Sequence, residues 1–137
     1  MKSLVFLATL LLAAGTAQAQ IYDVSVPATK ATAGKWTVVN THTRWKEECA
    51  FRLYPVVRNA KATHGQVRSR NGVKVRLTGK VLVGSIEQKC VGRVIDGVAV
   101  EYLPNPGFKG KDTITYVVDF KRQGDKPVPR KIVVTVR

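Results

Sequence analysis

The stretch YLPNPGFKGKDTITYVVDF, Tyr102–Phe120, decides how this chain folds. Its second half alternates strictly, so that Ile114, Tyr116, Val118 and Phe120 share one side of an extended backbone. A period of two with one apolar side marks a strand in a sheet covered on one face. Its first half holds the means of turning into that strand. Pro104 and Pro106 stiffen the exit from whatever precedes, and Gly107 and Gly110 can adopt positive φ at a sharp bend. Phe108, between them, is placed to drop into the end of a core.

Outward from this stretch the same pattern recurs. Val98, Val100 and Tyr102 repeat the alternation before it, and Ile132, Val134 and Val136 repeat it near the C-terminus. Residues 20–137 contain 21 valines, and β-branched side chains favour pleated, half-buried strands. The apolar runs are short and broken by Gly, Pro, Asn and Asp, and none keeps a period of 3.6. Strands are expected near 21–26, 35–42, 50–58, 66–70, 73–83, 91–95, 98–103, 113–121 and 130–136. Asn71-Gly72 reads as a two-residue hairpin turn between QVRSR and VKVRL, and Asp96-Gly97 as another between VGRVI and VAVEY. The polar segment KRQGDKPVPR should carry the chain between two antiparallel strands. The expected fold is an all-β antiparallel sandwich, with residues 20–137 as one domain.

The first nineteen residues read differently. Lys2 supplies a positive start, Leu4–Ala14 an apolar run, and Ala17-Gln18-Ala19 a small-x-small cleavage site. Residues 1–19 are therefore expected to be a Sec-type signal peptide, and the mature protein to be periplasmic or secreted from a bacterium. The apolar run is too short to span a bilayer as a helix. Cys49 and Cys90 are the two cysteines of the chain. In an oxidising compartment such a pair normally bonds, so a Cys49–Cys90 disulfide is expected.

The segment VEYLPNPGFKGKDTITYVV resembles the end of a bacterial Ig-like, cadherin-like repeat. The residues that carry the resemblance are Val100, Tyr102, Pro104, Gly107, Phe108, Gly110, Asp112, Ile114, Tyr116 and Val118, with KIVVTVR as the closing strand. ATHGQV looks like the family's small turn before a strand, without the usual proline, and residues 20–60 match nothing in the pattern. Small secreted single-domain members with two cysteines are the nearest in style. The resemblance implies an Ig-like Greek-key sandwich. It also implies a structural corner built from Gly107, Phe108, Gly110, Asp112 and Tyr116, in which the tyrosine hydroxyl bonds back to nearby backbone.

Catalytic patterns are sparse. Ser25, Ser69 and Ser85 lie outside any G-x-S-x-G, and there is no H-E-x-x-H, P-loop or G-x-G-x-x-G. Glu47 and Glu48 are adjacent, so in a strand they point to opposite faces. The chain is therefore read as non-enzymatic, without cofactor or metal. Calcium needs several converging oxygens, whereas Asp96, Glu101, Asp112 and Asp119 are isolated from one another along the chain. His42 and His64 read as surface or turn residues. Of Trp36 and Trp45, the second lies four residues before Cys49 and is placed to pack near the disulfide.

The remaining signal is charge. Lysine and arginine outnumber acids 23 to 9, for a net charge of +14. Arg68 and Arg70 share a parity, as do Lys74, Arg76 and Lys80, opposite Val73, Val75 and Leu77. Regular strands would stand these cations in rows as a basic face. Lys109, Lys111, Lys121, Arg122, Lys126, Arg130 and Lys131 add further charge on loops or strand ends. Such a surface also serves solubility and edge protection. As a site it would bind an anionic envelope polymer: acidic polysaccharide, lipopolysaccharide or anionic lipid. Export and the scarcity of accompanying aromatics argue against nucleic acid. Reversing Arg68, Arg70, Lys74 and Arg76 to Glu is expected to abolish binding and leave the fold intact. The rival readings are a structural module that pairs with a surface protein, and a small hydrolase centred on His42, His64 or Glu47.

Overall fold

The computed structural model describes residues 19–78 and 88–137. The expected leader, apart from Ala19, and Lys80 of the expected basic face lie outside the described residues, as does the end of the strand expected at 73–83. The described chain forms strands β1 (Ile21–Asp23), β2 (Lys30–Ala31), β3 (Thr37–His42), β4 (Arg44–Trp45), β5 (Phe51–Leu53), β6 (Val56–Ala62), β7 (Gly65–Arg76), β8 (Val94–Pro104), β9 (Gly110–Asp119) and β10 (Val128–Val136). One sheet has the order β1-β7-β8-β3, the other β2-β10-β9-β6, and β4 with β5 makes a small ribbon. Neighbours run antiparallel, except that β1 lies parallel to β7 and β2 parallel to β10. No helix among the described residues is long and apolar enough to cross a membrane.

The two sheets pack face to face as a β-sandwich. Ile114, Tyr116 and Val118 of β9 and Ile132, Val134 and Val136 of β10 meet Val39, Val100 and Tyr102 of the other sheet in one buried cluster. These are the alternating positions of the opening stretch and its neighbours. Each such side chain contributes about 1.5–3 kcal/mol on full burial. A second cluster gathers Val24, Val73, Val75, Leu77 and Ala99 around Cys49 and Cys90. The register pairs Val73 with Gly97 and Val75 with Ile95, on the face of β8 that carries Ala99. Val98 and Val100 point the other way, so this cluster covers the back of the first sheet. The expected disulfide Cys49–Cys90 is formed and clips the β4–β5 connection to the 3-10 turn Gln88–Cys90. Trp45 is partly buried against the same cluster, which contains both cysteines.

Both expected hairpins are absent. Asn71-Gly72 and Asp96-Gly97 lie inside β7 and β8, which pair along their whole length. The two dipeptides face each other across that ladder, with a register shift between Asn71 and Val73. Gly72 takes φ +83° as the extra residue of a β-bulge. Gly97 permits a close approach: a Cβ there would lie 2.7 Å from the His42 carbonyl oxygen and 3.0 Å from the Val75 side chain. Glycine thus serves a bulge and a tight contact here, and the long apolar ladder overrides the local preference for a turn. The strand expected at 50–58 is split into β5 and β6 around Pro55, which has no amide hydrogen to donate.

Candidate anion-binding sheet face

The bulge at Gly72 separates the cations expected to share a face. Arg68 and Arg70 stand opposite Glu101 and Ala99, on the back of the first sheet with Val73 and Val75. Lys74 and Arg76 pair with Asp96 and Val94, and so point to the other side. All four are also engaged by acids. The Glu101 carboxylate accepts from Arg68 Nε at 2.7 Å and from Arg70 Nε at 2.9 Å. Lys74 pairs with Asp96, and Arg76 Nη1 lies 3.4 Å from Asp23 Oδ1. Arg68 also lies over the Trp36 ring, 3.8 Å from its centroid. Burial pushes the Glu101 carboxyl up, but its bonds to Arg70 and Arg68 outweigh this and hold it below the usual carboxylate range. Three carboxylates therefore offset most of the charge of these four residues.

The outer face of the second sheet is different. In β9 the inward residues are Asp112, Ile114, Tyr116 and Val118, so Lys111, Thr113, Thr115 and Val117 face outward. The register sets Lys131 of β10 and Lys61 of β6 on either side of Thr115. It likewise sets Lys30 of β2 and Lys111 of β9 on either side of Thr135. The face thus carries two Lys-Thr-Lys rungs, with the lysine backbones of each rung about 9–10 Å apart. All four lysines are exposed, and among the described residues none has an acid partner. Arg58, on the same face, is held 3.6 Å from Asp119.

Beside the first rung, Lys131-Thr115-Lys61, the sheet is hollowed. The register of β6 shifts between Arg58 and Lys61, and Asn59 there has φ +52°, a left-handed conformation. A depression of about 360 Å³ opens over this bulge, lined by Asn59, Lys61, Thr115, Val117, Pro129 and Lys131, among others. Among the described residues the strand β10 has a neighbour on one side alone at Pro129, since β2 pairs only with Thr135 and Val136. A proline is tolerated at such an edge. Lys111 and Lys131 stand out in the sequence as charge on loops or strand ends, whereas nothing local marks Lys30 and Lys61. The missing signal was the polar phase of the period-two pattern, which acquires meaning once β10, β9 and β6 are known to be neighbours.

The expected corner residues are arranged as follows. Gly107 and Gly110 have φ +79° and +115°, and Phe108 stacks on His64 with ring centroids 4.2 Å apart. The buried Asp112 carboxylate accepts from Tyr102 Oη at 2.7 Å, from the His64 amide at 2.9 Å and from the Thr113 amide at 2.8 Å. Burial raises the Asp112 pKa, but these bonds outweigh it and hold the group below the usual carboxylate range. Tyr116 departs from the expected bond to nearby backbone. Its ring points inward from the middle of β9, so its hydroxyl reaches β3 of the facing sheet. It accepts from Asn40 Nδ2 at 2.9 Å and lies 2.7 Å from His42 Nε2. His42, expected at the surface, has no exposed area at all. Burial, with a smaller effect of Arg130, pushes its pKa down to about 3, so the ring is a neutral brace between the sheets.

The four acids considered for calcium are each engaged within the chain: Asp96 by Lys74, Glu101 by two arginines, Asp112 by Tyr102 and His64, and Asp119 by Arg58 and Lys121. Comparison with known proteins finds no matching family model, no matching curated protein and no matching solved structure.

Proposed function

We propose that this chain is an exported, non-enzymatic Ig-like module that binds an anionic polymer of the cell envelope through the outer face of its β2-β10-β9-β6 sheet. The observation that carries the reading is the contrast between two sets of cations. Arg68, Arg70, Lys74 and Arg76 have carboxylate partners, whereas Lys30, Lys61, Lys111 and Lys131 lie on one sheet face without any among the described residues. An unpaired ammonium on a flat rigid face has its charge available to a ligand. The disulfide fits an oxidising compartment outside the cytoplasm. The Ig-like assignment draws support from β3-β8-β7 facing β6-β9-β10, with the first strand divided between the sheets. The placement of β1 beside β7 departs from that family's usual order.

The test is binding to an acidic polysaccharide at about 50 and about 300 mM salt, where exposed charges go from weakly to strongly screened. Each lysine near a polyanion adds on the order of 1 kcal/mol. Replacing Lys30, Lys61, Lys111 and Lys131 by Gln should therefore weaken binding on the order of 100-fold or more at low salt, with an unchanged melting temperature. Wild-type affinity in that variant would refute the assignment. Reversing Arg68 and Arg70 is a poor alternative, because it strands the buried Glu101 carboxylate and destabilises the domain.

A further inference from the structure

The depression over Thr115 and Val117 has features that a merely basic face does not need. Its floor combines an apolar patch, Val117 and the Pro129 ring, with the Thr115 hydroxyl, and its rim carries Asn59, Lys61 and Lys131. Among the described residues the side chains of Asn59 and Thr115 have no protein hydrogen-bond partner, so both are free to bond a ligand. Asn59 has φ +52° at the bulge, a left-handed conformation that asparagine adopts more readily than most non-glycine residues.

We infer that this depression is a subsite for a linear chain of carboxylated sugars, lying across the strands from Lys131 to Lys61. The inference rests on the polyanion reading and narrows it to acidic polysaccharide. The apolar floor suits the C–H face of a pyranose ring, and the hydroxyl and amide suit its ring hydroxyls. The two ammonium groups stand at opposite ends, where successive carboxylates of a chain would fall. A volume of about 360 Å³ lies at the lower end of the range for small-ligand pockets, enough for a short segment of chain. Concavity separates this occupant from a lipid surface. A bilayer presents a plane of phosphates that would meet the lysine rim and leave the floor empty.

The experiment titrates the full exported chain with a defined tetra-uronate, with its fully methyl-esterified form and with phosphatidylglycerol vesicles. Asn59→Gly removes the amide and keeps the left-handed backbone, so the fold is undisturbed. It should weaken tetra-uronate binding about three- to tenfold, the effect of one hydrogen bond. Lys61→Gln with Lys131→Gln should weaken it at least about tenfold more than Lys30→Gln with Lys111→Gln, although both pairs remove the same charge. The methyl ester should bind weakly, and the amide resonances of Thr115 and Val117 should shift on titration. Equal losses from the two lysine pairs, with Asn59→Gly at wild-type affinity, would overturn the subsite and leave a diffuse basic face. Tighter binding to the vesicles than to the tetra-uronate would overturn it in favour of lipid. No binding of the wild type to either anionic probe would remove the polyanion reading as well.

Discussion

His42 shows how much one residue's role depends on partners far along the chain. Its Nε2 lies 2.7 Å from the hydroxyl of Tyr116, 74 positions away, and its Nδ1 lies 3.5 Å from Ser25 Oγ. Nothing local marks it as buried, which is why the sequence reads it as a surface residue. Burial lowers its pKa from 6.5 to about 3, so the folded protein refuses a proton that the unfolded chain accepts. The stabilisation from a neutral His42 is complete above about pH 6.5 and is lost as pH falls toward 3. The slope between is about 1.4 kcal/mol per pH unit. Glu101, Asp112 and Asp119, whose pKa values are lowered, keep their contributions until the pH drops into the carboxylate range. Urea unfolding of wild type should therefore lose about 1 kcal/mol or more between pH 6 and 5. In His42→Gln that loss should largely vanish; an unchanged slope would show that another group is responsible.

At the scale of elements, the decisive feature is the long β7–β8 ladder. Asn-Gly and Asp-Gly are strong turn signals, and a reading confined to ten residues must break both strands there. The ladder keeps both because its apolar residues serve two cores on opposite sides of one sheet, with the bulge at Gly72 changing the phase between them. Gly97→Ala tests this arrangement, since the added methyl group meets the His42 carbonyl oxygen at 2.7 Å. Overpacking of this kind costs about 1–3 kcal/mol, to be read from the shift in urea midpoint. If Asp96-Gly97 were a free turn, the same change would be almost silent. The disulfide ties the β4–β5 ribbon to the 3-10 turn Gln88–Cys90, across a separation of 41 residues. Replacing both cysteines by Ser should cost about 3–4 kcal/mol in the same assay. A loss below about 1 kcal/mol would mean that the second cluster holds without its clip.

For the molecule as a whole, tertiary structure sorts the cations of the described residues into paired and unpaired sets. The unpaired lysines repel one another across the second sheet. Raising salt from about 20 to about 300 mM in the absence of ligand should screen that repulsion and raise the melting temperature by a few degrees. The Gln-substituted variant at Lys30, Lys61, Lys111 and Lys131 should gain less than wild type; an equal gain would place the repulsion elsewhere. The all-β class, the inward residues of β8, β9 and β10 and the Cys49–Cys90 pair were settled by the sequence itself. Side-chain alternation is a local property of an extended chain, and two cysteines allow only one bond between them. Which cations stand together was settled only by folding. That depends on strand order and on a one-residue bulge, both set by pairing between segments distant along the chain, and a shift of one residue sends a side chain to the opposite face.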